Sequence, residues 1–192
     1  NVWDVIRAAK TKNFGFRPFA PGPGVGGHCI PIDPFYLDWA AKKQNYHSRF
    51  ISASKHINRD VFVWSLNKIK FFLKNKKIAN KQILYLGITY KKNVDDTRES
   101  PSLALLEKLH DMNYNIKYHD PYIKNIQIKI KNKKKKIRSL INYQNALNKS
   151  AVVIIATNHD FYNYKKILKN SKLIIDLRGK FMDIKNKKIY KF

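Results

Sequence analysis

The sequence predicts an α/β protein in which a long helix leads into a parallel sheet covered by helices. Three observations predict it. Residues 82–88, 151–156 and 172–176 are short, nearly continuous apolar runs, the pattern of strands buried on both faces. Helix-length segments alternate with them at 101–112 and near 161–168, the order that strand–helix–strand crossovers produce. Residues 49–74 run without glycine or proline, while Phe50, Ala53, Ile57, Val61, Trp64 and Phe72 recur at roughly helical spacing. A helix of that length spans about 40 Å at about 1.5 Å per residue.

Taken in order, residues 2–10 place apolar side chains at helical intervals and predict a helix, followed by the aromatic approach Phe14, Phe16 and Phe19. A loop at 21–34 comes next. Asp33 then predicts an N-cap, Pro34 the first helical position, and residues to Lys43 a short helix. The long helix ends in Lys68, Lys70, Lys74, Lys76 and Lys77, cations well placed against a helix C-terminus. A boundary at 75–81 separates two expected units, 1–78 and 79–192. In the second, the apolar strands above are joined by one at 115–119 and an edge strand near Ile189, giving a Rossmann-like parallel sheet. The span 129–138, seven cations in ten residues, reads as a basic loop.

The loop at 21–34 concentrates four of the seven glycines, four of the seven prolines and the single cysteine. Closely spaced glycines let backbone N–H groups approach a phosphate or sugar, and the prolines restrict alternative shapes. A lone cysteine is most often a small buried hydrophobe. Cys29, however, stands just before the predicted helix at 33–43, a position suited to thiolate chemistry, with Asp33 four residues on to orient a water or a proton.

Ligands of open parallel sheets bind beyond the carboxyl ends of the strands, so the loops there are informative. The loop at 89–100 contains no glycine, whereas a dinucleotide fingerprint needs three in that turn. Lys91, Lys92 and Arg98 offer side-chain cations instead, and Ser100 with Pro101 caps the helix that follows. The segments 156–159 and 176–179 close two other strands at the same edge, and His159 reads as structural.

Composition sets the remaining bounds. The formal charge of +26 over 192 residues would suggest a polyanion partner. The lysines are mixed with asparagine and isoleucine throughout, as A/T-rich codons produce, and no aromatic is interleaved at 129–138 to stack bases. No nucleic-acid partner is therefore expected. One cysteine suits a reducing compartment, and no apolar run is long enough for a membrane span, so the expectation is a cytoplasmic chain without a membrane partner. No metal site is expected.

Gly26-Gly27-His28-Cys29 with Pro31, Asp33 and Pro34 resembles the catalytic-cysteine signature of the UDP-glucose/GDP-mannose dehydrogenase superfamily, with wording closest to its UDP-N-acetylglucosamine 6-dehydrogenase branch. Residues 86–93 with 95–101 resemble the C-terminal UDP-binding domain of the same enzymes. The resemblance implies a twofold, NAD-dependent oxidation of a UDP-sugar C6 alcohol to a carboxylate, as in the supply of uronic acids for polysaccharides. It implies Cys29 and Asp33 as catalytic residues. Phe19, Gly22, Gly24, Gly26, Gly27, Tyr90, Lys91 and Arg178 would surround the substrate, and Arg98 would reach the nicotinamide cofactor. It also implies that NAD is bound mainly by an N-terminal domain not represented in these residues, so the chain corresponds to a C-terminal half. That missing half is one expected partner. A homodimer through the long helix is the other. The competing readings are a non-catalytic UDP-sugar-binding remnant and a basic nucleic-acid-binding protein.

Overall fold

A computed structural model describes residues 1–78 and 80–192. The first part is helical: α1 (Val2–Ala9), α2 (Asp33–Lys43) and α3 (Arg49–Asn75). Then follow β1 (Ile83–Leu86), α4 (Pro101–Asp111), β2 (Ile116–His119), β3 (Asn125–Ile130), β4 (Lys133–Arg138), α5 (Gln144–Leu147), β5 (Val152–Ile155), α6 (Tyr164–Asn170), β6 (Ile174–Asp176) and β7 (Ile189–Lys191). Five strands form one sheet in the order β2-β1-β5-β6-β7, every pairing parallel. The predicted α/β class is thus the observed one.

Alternation along the strands divides the core into two layers. Ile83, Tyr85, Val152, Ile154 and Ile175 pack with Ile69, Phe72 and Leu73 of α3 and with Leu105, Leu106 and Leu109 of α4. Leu84, Leu86, Val153, Ile155 and Ile174 pack on the other side with Tyr143, Leu147, Tyr162, Ile167 and Phe181. Because both faces are covered, the strands carry no polar alternation, which is why they read as unbroken apolar runs.

The strand order reverses at β1: the chain passes through α4 to β2 on one side and later returns to β5 on the other. The carboxyl ends of β1 and β5 therefore form the switch point where such sheets bind ligands. Gly87 makes this junction close. It adopts φ +82°, and an added Cβ would lie 2.5 Å from both the Cβ and the carbonyl oxygen of Thr157. Gly87→Ala is expected to cost about 2 kcal/mol or more in urea unfolding, from the strained φ and the overlap together. A loss below about 0.5 kcal/mol, within the range of a neutral surface substitution, would show that the β1 and β5 loops can part freely.

Three expectations need correction. The basic stretch at 129–138 is not a loop but most of the antiparallel hairpin β3–β4. Its inward face is isoleucine: Ile128 is buried, and Ile126, Ile130 and Ile137 pack against the core. Lys131 and Asn132 both take positive φ at the turn, as a tight two-residue hairpin requires. The lysines hid the alternation: Lys134 and Lys136 share the outer face with Lys129 and Gln127, while Lys133 and Lys135 stand exposed opposite Ile130 and Ile128. Second, Asp33 does not cap α2 but is its first residue, because the amides of Ile32 and Asp33 already bond to the Cys29 carbonyl at 3.0 and 2.8 Å. The long helix expected over residues 49–74 forms as α3, and its apolar stripe is divided between the core and solvent. Ser65, Ile69, Phe72 and Leu73 are buried, whereas Phe50 (84%), Ile57 (62%) and Trp64 (49%) are exposed. Third, the helix near 161–168 begins instead at Tyr164, where the Asn163 side chain accepts from the Lys166 amide at 3.0 Å.

Candidate functional site

The cysteine loop is pressed against the loop that leaves β1. The Gly27 amide donates to the Arg98 carbonyl at 3.0 Å. A Cβ on Gly26 would lie 2.7 Å from the Glu99 carbonyl oxygen and 2.7 Å from Tyr90 Cβ, and one on Gly27 2.9 Å from the Tyr90 ring. Gly24 rests on Pro101 at the start of α4, and Gly22 lies so close to Arg178 that a Cβ there would overlap its guanidinium. The glycines thus permit close packing of backbone on the sheet domain. The sequence pointed to ligand approach as their purpose; the contacts show a docking role that spacing alone did not reveal.

Cys29 is exposed and free. The 2.8 Å bond from the Asp33 amide to the Cys29 carbonyl closes a turn over residues 29–33 and ties Cys29 to the start of α2. Asp33 is exposed, as a group that handles water must be. Arg98 approaches from the β1 loop: its pKa is raised chiefly by its pairing with Asp96, with smaller contributions from Tyr90 and Cys29.

Of the three cations expected in this loop, two are engaged. Lys92 Nζ bonds both oxygens of Asp160 at 3.1 Å. Arg98 forks onto Asp96, whose carboxyl is held down at about 2 by the Arg98 side chain and amide. Lys91 is exposed and has no acidic partner among the described residues. It is the lysine the sequence singled out. Arg178 is half-buried against Gly22, and burial lowers its pKa; among the described residues its guanidinium has no hydrogen-bond acceptor. Its backbone is fixed by Asp176, whose buried oxygens accept from the amides of Arg178 at 3.1 Å and Phe181 at 2.7 Å. Phe19, by contrast, is 68% exposed with Arg17 over its ring, and stands outside these contacts.

Beneath the loop lies a polar network of which only the Ser100 cap was legible in the sequence. Ser100 Oγ donates to the Ile88 carbonyl at 2.8 Å and caps α4 by accepting from the Leu103 amide. Thr157 Oγ1 donates to the Thr89 carbonyl at 2.7 Å, and Ser102 Oγ to the Ala156 carbonyl at 2.9 Å. Asp120, 2% exposed, accepts from the Ile88 amide at 2.8 Å and faces His159 at 3.2 Å. Burial pushes its carboxyl up, yet the bonds from His159 and the Ile88 and Tyr122 amides outweigh this and leave it below the usual carboxylate range. Taken alone, His119-Asp120-Pro121 has the local composition of a turn; its partners Ile88 and His159 lie far away in sequence.

The turn after β1 does not fit a dinucleotide. Gly87 is its one glycine and is packed on Thr157, the first helical residue of α4 is a proline without an N–H, and the Leu103 amide is already taken by Ser100. Side-chain cations and a cysteine loop stand together at the switch point instead, in an α/β domain of the doubly wound class. By comparison with known proteins, residues 84–183 match the UDP-binding domain of the UDP-glucose/GDP-mannose dehydrogenase family and residues 1–60 its central domain. The chain belongs to this family. It is 33% identical over 187 residues to the UDP-N-acetyl-D-mannosamine dehydrogenase of Methanococcus vannielii, covering 93% of this chain and 40% of that protein. It is 33% identical over 121 residues to the UDP-N-acetyl-D-glucosamine 6-dehydrogenase of Pseudomonas aeruginosa, covering 62% of this chain and 28% of that protein. The UDP-D-ManNAc dehydrogenase of Pyrococcus horikoshii superposes over 100% of this chain and 43% of its own, with a TM-score of 0.75 at 25% identity. The chain therefore spans about 40% of the length of the M. vannielii relative. No helix among the described residues is long and apolar enough to cross a membrane.

Proposed function

We propose that this chain supplies the thiol and the nucleotide-holding surface of a UDP-N-acetylhexosamine, or UDP-glucose, 6-dehydrogenase. The observation that carries this reading is the seating of Gly26 and Gly27 on Tyr90 and Arg98, which joins the cysteine loop to the nucleotide loop. The substrate names of the relatives at 33% identity support the N-acetylhexosamine assignment.

In this reading Lys91 and Arg178, two cations of the site without a salt bridge among the described residues, hold the diphosphate and the nucleotide end. Tyr90, Phe19 and the glycine loop enclose the sugar. The Cys29 thiolate adds to the C6 aldehyde carbon, and its thiohemiacetal is the form from which the second oxidation gives a thioester. Asp33, one turn away, takes a proton from the water that cleaves that thioester, releasing the carboxylate and restoring the thiol. NAD, when bound, accepts the hydrides. The described residues offer it Arg98 and no cradle, so its binding is assigned mainly to a domain outside this chain. A thiol with this task needs a reducing, cytoplasmic setting. Phe50, Ile57 and Trp64, exposed along α3, offer the surface for a second copy of the chain.

Calorimetric titration with UDP tests the reading. Lys91→Ala is expected to weaken binding roughly 10- to 100-fold, the worth of one charge-assisted bond, whereas Lys92→Ala, paired with Asp160, changes it little. Absence of UDP binding by the unmodified chain would overturn the assignment. NADH formation from UDP-sugar and NAD, when the remaining domains of a relative are supplied, separates the enzyme from a non-catalytic remnant.

A further inference from the structure

His159 has no place in the chemistry above, yet it is fully buried with both ring nitrogens engaged. Nδ1 receives the Asn93 amide at 2.9 Å. An acceptor cannot also carry a proton, so the ring is neutral with its hydrogen on Nε2. That N–H points to Asp120 Oδ2 at 3.2 Å, with Thr89 Oγ1 second at 3.3 Å. Asp120 Oδ2 in turn accepts the Ile88 amide at 2.8 Å. One carboxylate–imidazole pair therefore grips the loop at both ends, Ile88 and Asn93, and leaves Tyr90 and Lys91 at its crown.

The rest of the loop is consistent with such a grip. Asn93 takes φ +62°, and its side chain bonds Asp160 in both directions, donating at 2.6 Å and accepting at 3.0 Å. Thr89 Oγ1 donates to the Lys91 carbonyl at 2.8 Å. The ring is further held by Tyr122 and Tyr162, centroids 5.0 and 5.8 Å away. Removing the acceptor at Nδ1 would free the Asn93 amide and with it the end of the loop nearest Lys92, while the sheet beneath keeps its own bonds.

We propose that His159, fixed by Asp120 as the Nε2–H tautomer, is a positioning residue that sets the shape of the 88–93 loop and so the placement of Tyr90 and Lys91 toward the nucleotide. Its functional meaning rests on the proposed UDP site; the loop geometry does not.

Two substitutions separate positioning from plain structural support. His159→Asn retains an oxygen near the Nδ1 position and can still receive the Asn93 amide. His159→Gln places its polar end near Nε2, keeps Asp120 company and loses the Asn93 acceptor. Both should destabilise the fold, but His159→Gln is expected to weaken UDP binding at least tenfold and speed exchange of the Asn93 amide at least tenfold, with His159→Asn within threefold of the unmodified chain for both. In the unmodified chain, nitrogen NMR at pH 7 should show Nδ1 unprotonated and Nε2 protonated. Any other tautomer overturns the proposal, as does loss of UDP affinity by both variants in proportion to their loss of stability. If the unmodified chain fails to bind UDP, the proposed function falls, and the tautomer and Asn93 exchange still decide this one.

Discussion

Lowering the pH from 7 to 4 is expected to remove about 3 kcal/mol of folding stability through one buried imidazole. His119 is 4% exposed, packed among Tyr143, Phe161 and Tyr162. Burial lowers its pKa from 6.5 to about 4, with Asp120 opposing the shift. The unfolded chain therefore takes up the proton first. The stability is fully present above pH 6.5, declines between 6.5 and about 4, and is gone below. Asp120, whose folded value is depressed, adds to the loss only at still lower pH. Urea midpoints at pH 7, 5.5 and 4 measure the slope. His119→Phe, which keeps an aromatic ring beside Phe161, should flatten it; an equally steep decline in that variant would sink the account.

Gly26→Ala should have the next largest effect, and it should be local. The added methyl meets the Glu99 carbonyl, Tyr90 Cβ and, at 2.9 Å, Pro101 Cδ, none of which is the free end of a flexible side chain. Overpacking of this kind costs about 2–3 kcal/mol, here drawn from the seating of the loop and not from the sheet. Exchange of the Gly27 amide, which donates to Arg98, is expected to accelerate roughly 30- to 150-fold, with sheet amides unchanged. Val25→Ala, at an exposed neighbour, serves as the control. Unchanged Gly27 exchange in Gly26→Ala would mean that the loop is not held by this contact.

What was legible in the sequence follows from how each element is buried. β1, β5 and β6 lie between two layers, so their apolar runs stand out, and the Ser100-Pro101 start of α4 was readable because capping is local. The hairpin β3–β4 was not, since one face meets solvent through lysines in a chain already full of them. At the site, Cys29 and Lys91 were visible from their neighbours. The engagement of Lys92 by Asp160 and the gripping of Asn93 by His159 were not, because partners 66 to 68 residues apart leave no trace in spacing. Arg98 and Asp96 stand only two residues apart, yet a charge pair in a loop does not announce whether it closes.

The glycine seat has a consequence for how much of this sequence can change. At each seated glycine the fold demands the absence of a side chain, because Tyr90, Pro101 or Arg178 lies close against the space a Cβ would take. Lysine and asparagine crowd the rest of the chain but are absent from residues 21–34, where Gly22, Gly24, Gly26 and Gly27 hold the cysteine loop against the sheet domain.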